Sequence, residues 1–153
     1  MSSASSVAPA VQGAHTVFLV TNFWESMSSE IEISQGKAVV DASKAAGVQH
    51  IIFSSLINVT KASNGRLPNI SHFDGKAQIE EYIRSSGVQS TFVLPGMFMS
   101  GFETMIRKNP DSEPAGYTLA LPVDPSKAKA PLFDAAEDTG KSSAISHQRE
   151  IHC

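Results

Sequence analysis

Residues 29–53 read SEIEISQGKAVVDASKAAGVQHIIF, and this stretch decides the fold class. Ser29, with Glu32 three residues later, is typical of a capping box at the start of a helix. Helical spacing of apolar residues continues to Ala46, and Gly47 is the residue type that ends helices in the left-handed conformation. The apolar run that follows lacks alternation, which predicts a strand covered on both faces. The helix residues expected to face inward are Ile31, Ala38, Ala42 and Ala45.

The same pattern occurs again in residues 71–94, SHFDGKAQIEEYIRSSGVQSTFVL. Ser71 and Asp74 form a second candidate capping box, and Gly87 a second stop. An apolar run over residues 16–21 precedes both repeats, so the order is strand, helix, strand, helix, strand. Right-handed crossovers then predict a parallel sheet with helices packed on it. The expected strands are residues 15–21, 48–54 and 88–94, and the expected helices span about 29–46 and 72–86.

Composition and charge exclude several functional classes. The 153 residues are enough for one domain, and 41% apolar with 18% charged residues is ordinary for a globular chain. A net charge of −3 gives no electrostatic reason to expect nucleic acid or an anionic membrane as partner. No apolar run approaches the ~18 residues of a membrane helix. The single cysteine, Cys153, fits a reducing compartment, so a cytoplasmic location is expected.

The two ends of the chain are expected to be disordered. Residues 1–12 are rich in serine and alanine and contain no lysine or arginine, and residues 141–153 are polar and aperiodic. The partial domain is therefore assigned to residues 13–140, with a short strand expected at 117–121. A metal site formed by His147, His152 and Cys153 is not expected, because a flexible tail rarely holds fixed ligand geometry.

Polar and aromatic residues follow the ends of two predicted strands. Thr21, Asn22, Phe23 and Trp24 come after the first strand, where they would suit a flat ligand or a hydrogen-bonded turn. Ser54-Ser55 ends the second strand and could cap the loop or face a substrate.

Two further pairs are candidates for chemistry. His72 and Lys76 share one helical face, where they could act together in proton transfer or form a solvated first turn. Pro95-Gly96 would let the backbone pass closely by a ligand or by the next loop. The sequence contains no Gly-x-Gly and no Walker loop, so it offers no obvious phosphate cradle.

An ordered set of segments resembles the NmrA-like family, an atypical branch of the short-chain dehydrogenase/reductases. The set runs from Gly13–Glu25 through Gln35-Gly36-Lys37 and Ala46-Gly47-Val48, and its most specific part spans Gly65 to Tyr82. The resemblance implies a Rossmann-type fold that binds NAD or NADP. In the wider superfamily a tyrosine and a lysine four residues later carry the proton chemistry, and here His72 stands in the tyrosine's place while Lys76 keeps the lysine's.

The resemblance also implies site residues. His72 and Lys76 are the implied catalytic pair, and Lys76 would also hold the nicotinamide ribose. The implied cofactor-binding residues are Thr21, Asn22, Phe23, Ser54, Ser55, Lys76, Pro95 and Gly96.

Relative to the family pattern, the sequence is expected to be truncated at both ends. Family members have a strand and a Gly-rich loop, and then two more strands, before the equivalent of Gly13. The fold class expected is therefore α/β, a partial Rossmann-like parallel sheet with flanking helices and with the first βαβ half missing. Binding of NAD(P) is then expected to be weak or absent, and self-association is expected through the exposed edge of the first strand.

Three functions stay open on this basis. The first is an NmrA-type NAD(P)-linked oxidoreductase acting on a small organic substrate, inactive in truncated form if the cofactor is not held. The second is an NAD(P)-sensing regulator that binds a transcription factor, of the nitrogen metabolite repression type, which would add a nuclear location to the cytoplasmic one. The third is a non-functional remnant.

Overall fold

The computed structural model describes residues 3–150 except 112, 113, 115, 122 and 125, and of residues 145–150 it describes only the backbone. The chain divides into two compact units. The first unit comprises Met1–Leu94 with Ser143–Cys153, and the second comprises Pro95–Ser142.

Three parallel strands form the sheet of the first unit: β1 (Thr16–Leu19), β2 (His50–Ser54) and β3 (Gln89–Val93), in the order β1-β2-β3. The strand β2 lies in the middle, and its residues from His50 to Phe53 are all buried. The predicted parallel sheet and the positions of its three strands are therefore confirmed.

Two long helices connect these strands, α3 (Ser29–Ala45) and α5 (Ser71–Ser86). They pack closely because Gly36 of α3 faces Ile79 of α5: a Cβ added at Gly36 would lie 2.7 Å from the Ile79 side chain. Farther along the same contact, the Tyr82 hydroxyl donates to Asp41 at 2.7 Å, and Lys44 donates to the Ser86 carbonyl at 2.7 Å. The contact between α3 and α5 thus runs nearly the whole length of both helices.

Details of both helix ends differ from the sequence expectations. The cap of α3 is Ser28, whose hydroxyl accepts from the Ile31 N–H. The cap is therefore one residue earlier than the predicted Ser29, which is the first residue of the helix. The residue before α5 is Ile70, whose side chain has no atom to accept a hydrogen bond; the predicted cap Ser71 lies inside the helix, and Asp74 bonds to Val59 instead. The stops are confirmed, since Gly47 and Gly87 have φ of +75° and +80°.

The inward face of α3 is also partly corrected. Ala38 and Ala42 are buried as expected, but Ile31 is 47% exposed and Ala45 is exposed. The residues that actually face inward are Glu32, Gly36, Ala38, Val39, Val40, Ala42 and Ser43.

The expectation of disorder over residues 1–12 is wrong for residues 4–11, and residues 1 and 2 lie outside the described residues. Residues Ala4–Val11 form helix α1, which begins with a reciprocal capping box between Ser3 and Ser6. Val7 and Val11, four residues apart on one face, are buried in the core against residues of α3 and the sheet. Two valines at helical spacing were enough to dock the helix, although Pro9 lies inside it.

Shorter elements complete the chain. Two helical turns, α2 (Phe23–Ser26) and α4 (Val59–Ala62), follow β1 and β2. The second unit contains a parallel pair, β4 (Met97–Phe98) with β7 (Leu132–Phe133), and an antiparallel pair, β5 (Ile106–Asn109) with β6 (Gly116–Leu119). It also contains a 3₁₀ turn at Met99–Gly101 and helix α6 (Phe102–Met105). The strand expected at 117–121 corresponds to β6.

The expected disordered tail is wrong for residues 141–150, because helix α7 (Ala135–Glu150) continues through them. Asp134 caps this helix by accepting from the N–H groups of Ala136 and Glu137, and Glu137 pairs with Lys141 at helical spacing. The rest of the expected tail, residues 151–153, lies outside the described residues.

The close contact between Gly36 and Ile79 leads to a prediction about stability. We expect Gly36→Ala to lower the free energy of unfolding by about 1–3 kcal/mol, because the new methyl group would overlap a buried, β-branched Ile79 that has little room to move. Urea denaturation followed by circular dichroism measures this. Gly140→Ala is the matched control, since Gly140 is helical and a Cβ there meets no atom within 4 Å. Equal stabilities of Gly36→Ala and the unmodified chain would contradict the prediction.

Candidate functional site

The candidate site lies at the carboxyl end of the parallel sheet, where strands of this topology bring their following residues together. Thr21 comes two residues after β1 and is buried. Ser55 comes directly after β2 and is fully buried. Both helices that flank the sheet, α3 and α5, begin at this end, so their first turns contribute the remaining side chains.

The Lys76 ammonium is bonded against the end of β1. Its Nζ donates to the Thr21 carbonyl at 2.7 Å, to the Thr21 hydroxyl at 2.8 Å and to Glu32 Oε1 at 2.8 Å. An ammonium has three hydrogens, so three acceptors within the protein use all of them. The structure therefore brings together Lys76 and Thr21, two of the residues that the resemblance implies as cofactor-binding.

Glu32 is the central residue that the sequence analysis missed. The sequence predicts it only as part of the capping box at the start of α3, whereas its side chain is 0% exposed and pairs with Lys76 across α3 and α5. Its Oε1 also accepts from the Thr21 hydroxyl at 2.7 Å. The signal that could have found it is its position in the sequence. Glu32 and Lys76 both lie near the start of a helix, and both helices begin at the carboxyl end of the sheet.

Aromatic rings surround His72 beside this ion pair. The imidazole centroid lies 5.1 Å from the Trp24 ring, 5.7 Å from Phe23 and 4.9 Å from Phe73. Phe23 is buried, whereas Trp24 is 63% exposed and presents a flat surface to solvent. Asn22, predicted as a cofactor contact, caps α2 by accepting from the Trp24 N–H at 3.1 Å. The cluster places a titratable ring and an exposed aromatic ring side by side.

The paired serines make backbone-directed contacts. Ser54 is the last residue of β2, and the Ser55 N–H donates to the Val93 carbonyl of β3's end at 2.9 Å. The Ser55 hydroxyl donates to the Leu56 carbonyl at 3.4 Å. Among the described hydrogen bonds, none joins either serine to Lys76.

Asp74, between His72 and Lys76, anchors the long loop after β2. Its carboxylate accepts from the Thr60 hydroxyl at 2.5 Å and from the N–H groups of Val59 and Thr60 at 2.7 and 3.2 Å. The Thr60 hydroxyl bond holds the pKa of Asp74 below its ordinary 3.8, and the two backbone bonds add to this against the opposing effect of burial. Asp74 thus stays ionised and keeps α4 against the start of α5.

Pro95 and Gly96 belong to the second unit. A Cβ at Gly96 would overlap the Pro131 carbonyl oxygen, and Met97 donates its N–H to the same oxygen at 2.8 Å. The close approach that glycine allows is therefore to the next loop, one of the two alternatives that the sequence left open.

The residues present fit one end of a dinucleotide. A partly exposed, charge-compensated ammonium next to a histidine and an exposed aromatic ring suits a ribose hydroxyl and a flat nicotinamide. The sequence has no Gly-x-Gly turn to cradle a pyrophosphate. Within the described part of the chain, no cluster of three metal-ligating side chains occurs, and no helix is long and apolar enough to span a bilayer. His152, Cys153 and the side chain of His147 lie outside the described residues.

The chain is similar to a known family and to several of its members. A profile described as the NmrA-like family matches residues 1–151. The nitrogen metabolite repression protein nmr of Neurospora crassa is 32% identical over 132 residues, which is 84% of this chain and 26% of that protein. The NmrA-like family domain-containing oxidoreductase ptmS of Penicillium ochrochloron is 28% identical over 91% of this chain and 45% of that protein. The chain thus spans less than half the length of these relatives.

Solved structures show the same fold. A triphenylmethane reductase of Citrobacter sp., solved in complex with NADP(H), aligns with a TM-score of 0.55 at 20% identity, over 65% of this chain and 32% of that one. An NADPH-dependent quinone oxidoreductase of Escherichia coli, complexed with NADPH, aligns with a TM-score of 0.53 at 20% identity, over 67% of this chain and 33% of that one. These likenesses show the Rossmann-like fold.

The asymmetric burial of the ion pair makes a prediction about stability. We expect Lys76→Met to lower the free energy of unfolding by about 3–5 kcal/mol, because it leaves a fully buried carboxylate without a cation. Glu32→Gln should cost less, since the Lys76 side chain is 14% exposed and its ammonium can turn toward water. Chemical denaturation of both variants measures the difference. A larger loss in Glu32→Gln than in Lys76→Met would contradict this account.

Proposed function

The chain belongs to the NmrA-like family, and on that premise we propose that it carries the nicotinamide-ribose half of the site of an NAD(P)-linked oxidoreductase that acts on a small organic substrate. The observation that supports this most directly is the Lys76 ammonium bonded to Thr21 at the carboxyl end of β1, one helical turn from His72. A bound NADPH would supply the hydride, and the protein residues supply position and protons.

Lys76 would bind the ribose by exchanging one of its present bonds. All three of its hydrogens are used within the protein, so a ribose hydroxyl must replace an acceptor. The two bonds to Thr21 are the ones to exchange, because a bond to fully buried Glu32 compensates its charge. We therefore assign Thr21 a place beside the ribose.

His72 is the proposed proton donor and acceptor. Its ring is partly exposed and lies against Trp24, so a substrate stacked on Trp24 would lie within reach of the imidazole. A positioned histidine is the side chain used most often for general acid–base catalysis. Phe23 supports His72 from below, and Asn22, Ser54 and Ser55 are proposed as the polar border of the cofactor pocket.

The affinity of the 153-residue chain for the cofactor is proposed to be low. The pyrophosphate would find no Gly-rich turn of backbone N–H groups, and its charge would stay in water. Charge-assisted hydrogen bonds contribute roughly 1.5–3 kcal/mol each, so several lost bonds lower affinity by orders of magnitude.

A second candidate function is a regulator that senses NAD(P) and binds a transcription factor. Its support is that relatives named nitrogen metabolite repression proteins, from Neurospora crassa and Emericella nidulans, are each 32% identical over 84% of this chain. NADPH oxidation with quinone or carbonyl substrates supports the enzyme, whereas co-purification of a zinc-finger transcription factor without turnover supports the regulator.

The single tryptophan provides a direct test of cofactor binding. Trp24 is the chain's one tryptophan and lies against His72, so a nicotinamide bound here should quench its fluorescence. We expect quenching by NADPH that saturates only at high concentration, and a dissociation constant raised roughly tenfold or more in Lys76→Met.

Two results would contradict this proposal. One is the same dissociation constant in Lys76→Met as in the unmodified chain. The other is an equal loss of affinity in the control Lys129→Met, which removes a lysine that is exposed in the second unit. Tight binding, at micromolar concentration, would contradict the low affinity proposed for this chain.

We also propose that two copies of the chain associate through β1. The strand is at the edge of the described sheet; Phe18 in the strand is 43% exposed, and Val20 directly after it is 51% exposed. Residues 16–20 contain no lysine or proline to discourage strand pairing. Sedimentation at increasing concentration should show a dimer, which Val20→Lys weakens.

The matched control for this association is Val123→Lys. Val123 is also 51% exposed but lies in the second unit, away from β1 in sequence. A chain that sediments as a monomer at all concentrations would refute association, and equal weakening by both substitutions would refute the role of β1.

A further inference from the structure

Glu32 carries out its bonding with one oxygen only. Oε1 accepts from both Lys76 and Thr21, whereas Oε2 is buried and has no hydrogen-bond partner among the described residues. A carboxylate that serves only to stabilise the fold would be expected to have both oxygens bonded, because an unpaired buried acceptor is costly. The bonding instead lies on the side of the carboxylate that faces Lys76 and Thr21.

The start of α5 holds the carboxylate in this orientation. A Cβ at Gly75 would lie 3.3 Å from Glu32 Oε2 and 3.4 Å from the Ser29 Cβ, so the backbone of Gly75 closes over the unpaired oxygen. With a fully buried side chain, Glu32 has no route to solvent. Its position is therefore fixed by helix packing rather than by solvent or by a mobile loop.

Lys76 is held from two directions as a result. Glu32, on α3, opposes its charge, and Thr21, after β1, accepts its other hydrogens. Thr21 also links the two, since its hydroxyl donates to Glu32 and accepts from Lys76. If a ligand hydroxyl takes the place of a Thr21 acceptor, the bond to Glu32 is the contact that keeps the ammonium at this position.

We propose that Glu32 is the positioning residue for Lys76: its buried carboxylate fixes the ammonium at the carboxyl end of β1, where it would meet a ribose hydroxyl. The part of this proposal that concerns the ribose rests on the proposed function, whereas the part that concerns the ammonium does not. The two parts are tested by different measurements.

The first measurement is NMR of lysine ammonium groups in isotope-labelled protein. An ammonium whose three hydrogens are all bonded within the protein exchanges them with water slowly, so we expect a signal that Lys76→Met removes and thereby assigns. Glu32→Gln should abolish this signal, and Glu30→Gln should leave it, since Glu30 lies on the same helix but is exposed. A Lys76 signal that persists in Glu32→Gln overturns the proposal.

A shorter carboxylate guards against failure of the first variant to fold. Glu32→Asp keeps the charge but withdraws the oxygen from Lys76, so it too should lose the slow ammonium signal. Its retention in a folded Glu32→Asp would overturn the proposal in the same way. Circular dichroism establishes that each variant compared is folded.

The second measurement is NADPH titration followed by Trp24 fluorescence. We expect Glu32→Gln to raise the dissociation constant by the same factor as Lys76→Met, roughly tenfold or more, and the double variant to raise it no further. An unchanged constant in Glu32→Gln, beside a raised one in Lys76→Met, overturns the positioning role. If the unmodified chain does not bind NADPH, the proposed function fails, and the ammonium signal still decides whether Glu32 positions Lys76.

Discussion

The arrangement of the first unit depends on a carboxylate that has no access to water and must have a cation beside it. Removing a charge from solvent is costly unless an opposite charge and hydrogen bonds replace the water. Glu32 meets this requirement with Lys76 and Thr21. The requirement brings the first turns of α3 and α5 together and ties both to the end of β1. It also explains why glycine stands at position 75, where a side chain would press on the carboxylate.

The sequence predicted the sheet and the two long helices because their signals are local and repeated. Unbroken apolar runs predict covered strands, and the glycines after each helix are needed for a left-handed backbone that other residues adopt at a cost. The caps were predicted less well. The serine-serine pair at the start of α3 offers two equivalent candidates, and the sequence alone does not say which hydroxyl meets a helix N–H. Asp74 matched a capping pattern, but a distant threonine took its carboxylate.

The candidate site was only partly predictable, because some of its contacts join residues that are distant in the sequence. The proximity of Lys76 and Thr21 follows from topology, since both stand at the carboxyl end of the sheet. Glu32 could not be recognised as buried, because a glutamate in the first turn of a helix is usually a solvated residue that favours the positive end of the helix. The docking of α1 was missed because Val7 and Val11 give too little apolar pattern to predict a helix without the groove that receives them. Pro95 and Gly96, placed with the cofactor by resemblance, lie in a unit that packs by its own contacts.

The matched contacts along α3 and α5 have a mechanical consequence. Four contacts follow one another in the same order along the two helices: Glu32 with Lys76, Gly36 with Ile79, Asp41 with Tyr82, and Lys44 with Ser86. A slide of one helix by a turn would break every one of these contacts together, and a smaller slide would drive Ile79 into the backbone at Gly36. These contacts together fix the register of the two helices. Any motion that opens the candidate site must come from the chain after β1 or from the loop after β2, while α3 and α5, which hold Glu32 and Lys76, stay in place.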